Sequence, residues 1–150
     1  MDLSKFDRGV FLVNLLAIIY SPKTRKILIG KRENDPHIKE LSWVFPGGRP
    51  GYEKDLEHYL QKEIKEKTGV DVNVKDAVFA KTYPEKREFL SVYYYCECEL
   101  TSGEEKPGGN LVELKWVKPR EVENYFTTSL HPRILEYLKT LDQRDSSACP

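Results

Sequence analysis

Glu63 and Glu66 stand three residues apart in the stretch LEHYLQKEIKEKTGV, and Lys67 follows Glu63 by four. On a helix, side chains at i and i+3 lie about 5–6 Å apart at Cβ, so both carboxylates can serve one hard cation. The same spacing offers another outcome, a Glu63–Lys67 ion pair in the favoured i,i+4 order, contributing about 0.2–0.5 kcal/mol on an exposed helix. Upstream, Pro46-Gly47-Gly48 follows the strand-like Trp43-Val44-Phe45. Glycines there let the backbone turn sharply and approach a ligand, offering N–H groups to phosphate oxygens or carbonyls to a cation. Arg49 follows Gly48, and Arg32 ends an earlier apolar run. Both carry the planar bidentate fork that suits a diphosphate, a solvated surface arginine being the alternative reading of each.

These groups need a helix and a sheet to hold them. Leu56, Tyr59, Leu60 and Ile64 recur at helical spacing from about Asp55 to Thr68, and Gly69 sits where a C-terminal cap belongs. At about 100° per residue, Glu63 falls inside that apolar stripe, Lys67 beside it and Glu66 at its edge. Charges on an inward face are costly unless paired, hydrated or bound to an ion. Strands are expected at Val10 to Tyr20 and Lys26 to Arg32, joined by the SPKT turn as a hairpin. Further strands are expected at Val72 to Tyr83, Phe89 to Leu100 and Leu111 to Val117. WVFPGG reads as a short strand ending in a glycine-rich turn, and ENDPHIKELS and TSGEEKPGGN read as loops. A short helix near Pro119 to Tyr125 and a longer one from Pro132 to Leu141 close the chain. One helix in the middle, two at the end and a mixed sheet make an α/β sandwich.

Composition narrows the function. The chain has 150 residues, with 24 Lys plus Arg against 24 Asp plus Glu. That length fits one domain, expected over residues 1–141, with the small polar stretch 142–150 as a disordered tail. At 39% hydrophobic and 32% charged, the chain is neither a disordered nor a membrane type. Zero net charge argues against nucleic acid as partner, yet permits a local basic pocket for one small anion. Val10 to Tyr20 is too short to span a bilayer, and no secretory-leader pattern accompanies it, so a cytoplasmic location is expected. Cys96 and Cys98 point to one face of a strand without a second ligand pair, which favours reduced thiols over zinc.

The glycine–helix pattern resembles the Nudix box, G-x5-E-x7-R-E-U-x-E-E-x-G-U with U aliphatic. From Gly48, the segment GRPGYEKDLEHYLQKEIKEKTGV fits this spacing without a gap, and Gly48, Glu63, Ile64, Glu66, Gly69 and Val70 match. Three positions depart from it: Lys54 stands for the first Glu, Lys62 for the Arg and Lys67 for the last Glu. ILIGKR, SWVFPGG and ELKWVKPREV are similar to the family's flanking elements, so the resemblance runs from about residue 10 to 141. It implies a Nudix-type α/β/α sandwich with a mixed β-sheet. It also implies hydrolysis of a nucleoside diphosphate linked to another group X, with Mg²⁺ or Mn²⁺ as cofactor. Glu63 and Glu66 would be metal ligands and catalytic groups, and Gly47 would offer its carbonyl to the same metal. Dimers are common among similar proteins.

GKRENDP followed by WVFPGGR is similar to the nucleotide-sugar branch, especially the GDP-mannose hydrolases. That branch places a Gln six residues before the closing-strand Trp; here Asn110 stands six before Trp116, and its amide oxygen can serve a metal or a water. Arg32, Arg49 and Lys67 would hold phosphates. Because an ammonium repels a divalent cation, Lys67 supports a second reading, a Nudix-fold nucleotide-binding or regulatory module without turnover. Glu53 is a substitute for the first box Glu if the loop shifts by one residue.

Other candidates weigh less. Trp43 and Trp116 are expected in the core. Among Tyr93, Tyr94 and Tyr95, the middle ring must point away from the other two. Glu104 and Glu105 read as solvated loop charges, with general-base chemistry as the alternative. His37, His58 and His131 have no Ser or Cys partner in a recognisable motif, and none is assigned to catalysis.

Overall fold

Runs of β-branched and aromatic residues build one mixed sheet, and apolar stripes of opposite facing bring helices onto both sides of it. The computed structural model describes residues 9–33, 43–52, 55–84, 89–127 and 130–144. In chain order the elements are β1 (Val10–Ser21), β2 (Lys26–Arg32), β3 (Trp43–Val44), β4 (Gly47–Gly48), α1 (Leu56–Thr68), β5 (Val70–Pro84) and β6 (Phe89–Gly103). They continue with β7 (Leu111–Val117), a 3₁₀ turn (Pro119–Glu121), α2 (Val122–Tyr125) and α3 (Pro132–Asp142). The sheet runs β3-β2-β1-β6-β5, with β7 paired to β2 and β4 to β1.

β1 and β2 form the expected antiparallel hairpin, Ile19 opposite Leu28, while β1 runs parallel to β6 from Val10–Phe89 to Tyr20–Glu99. The side of β1 away from β6 is divided. Its end pairs with β2, and its middle pairs with β4 at Leu15–Gly48 and Leu16–Gly47. This division brings the glycines beneath α1.

Side-chain alternation along β1 separates two cores. Leu15, Ala17 and Ile19 join Leu28, Val70 and Val72 against Leu60 and Ile64 of α1. Ile18 and Tyr20 join Ile27, Ile29 and Val117 against Val122, Ile134, Leu138 and Leu141. The expected α/β/α sandwich is therefore present. Tyr95 and Tyr93 face the second core and Tyr94 is exposed, as alternation requires. Trp43 packs edge-on to Tyr125 at 5.8 Å, in keeping with its core assignment.

Helix α1 begins and ends where its sequence indicates. The Asp55 carboxylate accepts from the Glu57 N–H at 2.9 Å, and Gly69 closes the helix at φ 80°, its N–H donating to the Lys65 carbonyl. A side chain at Gly69 would also meet the Glu104 carbonyl oxygen, 2.4 Å from its Cβ. Hydrogen bonding from His58, and then from the Glu57 N–H, holds Asp55 below the usual carboxylate range.

Four expectations change. Leu56 is 50% exposed rather than part of the inward stripe, because inward packing begins one turn later at Leu60. Gly47–Gly48 is a strand and not a turn: its backbone pairs with β1, and neither glycine has a positive φ. β6 continues through Thr101 and Ser102, which were expected in a loop. Their hydroxyls donate to the Asp71 carbonyl and carboxylate at 3.0 and 3.1 Å. Asp142, placed in the tail by sequence, belongs to α3 and pairs with Arg120 at 2.9 Å. Residues 145–150, most of ENDPHIKELS, and the lead-in 1–8 lie outside the described residues. Among the described residues, no helix is long and apolar enough to cross a membrane.

Candidate active site

The site begins with a backbone approach that only glycine permits. A Cβ on Gly47 would fall 1.9 Å from the Leu15 carbonyl oxygen, inside any real contact distance. A Cβ on Gly48 would fall 2.3 Å from the Tyr59 hydroxyl and 3.0 Å from Glu63 Oε1. The two glycines thus let β4 lie flat on β1 and let α1 rest its Tyr59–Glu63 face directly on β4.

Lys67 completes that contact. Its Nζ donates to the Gly47 carbonyl and lies 3.3 Å from Glu63 Oε1. The two side chains are largely enclosed, 17% exposed for Lys67 and 21% for Glu63. The ion pair that spacing offered is therefore formed, and the glycine carbonyl is its third member.

The segment after β6 fixes Lys67 from behind. The Gly108 N–H donates to the Lys67 carbonyl at 3.0 Å, and the Lys106 N–H donates to the Thr68 carbonyl at 2.8 Å. These bonds satisfy carbonyls that the helix end leaves without an internal donor. A Cβ on Gly108 would meet the Glu66 carbonyl oxygen at 2.1 Å, and one on Gly109, at φ 56°, would meet Lys67 Cγ at 3.2 Å. The second Gly-Gly, read only as loop, is thus a seat for the end of α1. A Gly pair within PGGN was the signal available in the sequence.

Arg49 is oriented by Asn14, a polar residue within the apolar run Val10 to Tyr20. Its Nε donates to Asn14 Oδ1 at 3.2 Å, and the Asn14 amide donates to the Leu12 and Val92 carbonyls at 3.3 and 3.4 Å. Asn14 is buried, so its amide needs such partners, and a polar side chain in an otherwise apolar strand was the clue.

The remaining candidates have other surroundings. Glu66 is exposed. Asn110 is exposed too, and its carbonyl accepts from the Glu33 N–H at 2.8 Å. Arg32 is half-buried at the end of β2, opposite Leu111. Glu105 accepts a hydrogen bond from the Trp116 indole, which ties the loop to β7. His58 pairs with Asp55 at 3.1 Å, and His131 caps α3 with its ring 4.5 Å from that of Phe79. Lys54, Glu53 and His37 lie outside the described residues. Cys96 and Cys98 are buried and free, and burial pushes both thiols up, which keeps them protonated.

A sequence model of the NUDIX domain matches residues 10–139. The chain belongs to the NUDIX family. This Nudix domain is 25% identical over 108 residues to nucleoside triphosphatase NudI of Escherichia coli O139:H28, covering 65% of the chain and 77% of that relative. Among solved structures it is similar to the MutT protein of Methanosarcina mazei Go1, with TM-score 0.69 and 17% identity, covering 91% of this chain and 96% of that one. A UDP-X diphosphatase aligns with TM-score 0.66 and 17% identity, covering 94% of this chain and 68% of that one. At these identities the structural likenesses speak for the fold.

Nudix hydrolases generally use divalent cations such as Mg²⁺ or Mn²⁺. In this Nudix domain the Gly47 carbonyl and Glu63 Oε1 already hold the Lys67 ammonium. Among the described residues, no group of three or more His, Cys, Asp or Glu side chains can hold a metal ion. The arrangement does not fit a divalent cation at the Gly47–Glu63 position.

Proposed function

We propose that this Nudix domain binds a nucleoside diphosphate linked to another group X and cleaves it within the diphosphate, nucleotide sugars being the first class to test. The observation that carries the reading is the contact of α1 with β4: the Lys67 ammonium, paired with Glu63, lies on the carbonyl of Gly47, and Arg49, bonded to Asn14 of β1, follows Gly48 in the chain. A diphosphate needs cationic side chains and close backbone together, and this arrangement supplies both. We assign Arg49, Lys67 and Arg32 to the phosphates, Glu63 and Glu66 to catalysis, and Asn110 to the rim of the site. The relative named a nucleoside triphosphatase and the neighbour named a UDP-X diphosphatase support a nucleotide over other diphosphates.

The test is hydrolysis of nucleotide sugars, dinucleotides, ADP-ribose and nucleoside triphosphates, each with Mg²⁺, with Mn²⁺ and with chelator. Turnover of one class is expected, at least about tenfold lower in Glu63→Gln. Near-normal turnover in that variant would remove Glu63 from the mechanism. One observation favours the second reading, a binding or regulatory module: Lys67 engages both groups that catalysis would draw on. Nucleotide binding with silence across the panel is its signature.

A further inference from the structure

We propose that the Lys67 ammonium is the resident cation of this site, so that it takes a diphosphate directly and excludes a divalent metal. The proposal rests on the reading that the site receives a nucleoside diphosphate derivative, and it concerns what supplies the positive charge there.

A backbone carbonyl and a carboxylate converging on one point form the oxygen set of a hard cation. Here the point is filled from within the chain: Lys67 Nζ donates to the Gly47 carbonyl and sits 3.3 Å from Glu63 Oε1. An ammonium carries three N–H donors and a compact charge. Gly47 and Glu63 account for two of them, and among the described residues the third has no protein partner. That donor is left for an anion's oxygen.

The lysine is not a loose surface side chain that a metal would displace freely. It is 17% exposed, and Gly108 holds its backbone carbonyl at 3.0 Å. Gly109 leaves room for its stem where a Cβ would crowd it at 3.2 Å. Moving Lys67 out would strip Glu63 of its partner in a largely enclosed position, and a divalent ion entering beside it would meet a like charge.

Two probes test this, and neither depends on turnover. The first is Mn²⁺ alone, titrated into the wild type, Lys67→Glu and Glu63→Gln and followed by the loss of the free-ion electron paramagnetic resonance signal. The wild type is expected to leave Mn²⁺ free, and Lys67→Glu to bind it at least tenfold more tightly. Lys67→Gln serves as the second variant if the glutamate fails to fold without metal, and a gain of at least threefold is expected there. The second probe is inorganic pyrophosphate in chelator, titrated calorimetrically. The wild type is expected to bind it, and Lys67→Met to bind at least tenfold more weakly with its melting temperature recorded as the folding control.

Mn²⁺ bound by the wild type as tightly as by the lysine variants, or bound by none of the three, overturns the proposal. So does pyrophosphate affinity that needs Mg²⁺ or ignores Lys67→Met. If the hydrolysis panel is silent while both probe results hold, turnover is refuted and the lysine cation stands.

Discussion

Asn14, buried in the middle of β1, accepts a hydrogen bond from Arg49 Nε at 3.2 Å. The amide's own N–H group is spent on the Leu12 and Val92 carbonyls, so its oxygen is turned toward the residue after Gly48. A long side chain otherwise free to wander is held next to the glycine strand, which lowers the ordering cost of binding an anion.

That relationship predicts coupling. Arg49→Ala and Asn14→Ala should each weaken inorganic pyrophosphate binding, by about tenfold for the arginine and less for the asparagine. If Asn14 acts through Arg49, the double variant should bind no more weakly than Arg49→Ala within experimental error. Titration calorimetry on the four proteins closes the cycle, and additive losses would separate the two residues.

The glycines of β4 should not tolerate a methyl group. Gly47→Ala places a Cβ 1.9 Å from backbone oxygen, and because backbone cannot step aside cheaply, a loss of about 3 kcal/mol or failure to fold is expected. Gly48→Ala meets side chains, the Tyr59 hydroxyl and Glu63, which can move. It should fold with a smaller loss but displace Glu63 and reduce turnover or ligand affinity. Urea unfolding beside ligand titration distinguishes the two cases.

Two leucines on α1 separate stripe from core. Leu60 is 1% exposed and Leu56 is 50% exposed. Leu60→Ala should therefore cost about 2–5 kcal/mol, and Leu56→Ala within about 0.5 kcal/mol of nothing. Equal losses in chemical denaturation would return Leu56 to the inward face.

Alkaline pH should loosen the α3 side of the sandwich. Burial, and then the neighbouring Tyr93, pushes the Tyr95 phenol up to about 12 from an ordinary 10.0. The unfolded chain therefore ionises first: stability is fully present below pH 10 and falls as pH rises from 10 toward 12. The full shift corresponds to about 2–3 kcal/mol. Tyr95→Phe should flatten the fall over that window in urea unfolding measured at successive pH values. An unchanged pH slope would remove Tyr95 as its source.

Much of the fold could be read from local pattern. The β-branched and large apolar run Val10 to Tyr20 ending at SPKT marked β1, and the Leu60–Ile64 spacing from about Asp55 with Gly69 at its end marked α1. Such features depend on residues a few positions apart, so a single strand of text contains them. The box spacing likewise placed Glu63 and Lys67 one turn apart, and that alone made their pairing available.

What local pattern left open depended on partners far along the chain. Whether Gly47 turned or paired was decided by Leu15 and Leu16, more than thirty residues earlier. Whether Lys67 faced solvent, a metal or Glu63 was decided by the Gly47 carbonyl arriving across β4 and by Gly108 and Gly109 closing the end of the helix. Asn14 gained a role only when Arg49 was carried beside it. Sequence by itself determined the sandwich, the helix and the list of charged groups, because periodicity and caps are short-range. Tertiary structure alone decided that the cation beside Glu63 is a lysine, because only folding brings a carbonyl twenty residues away within reach of its ammonium.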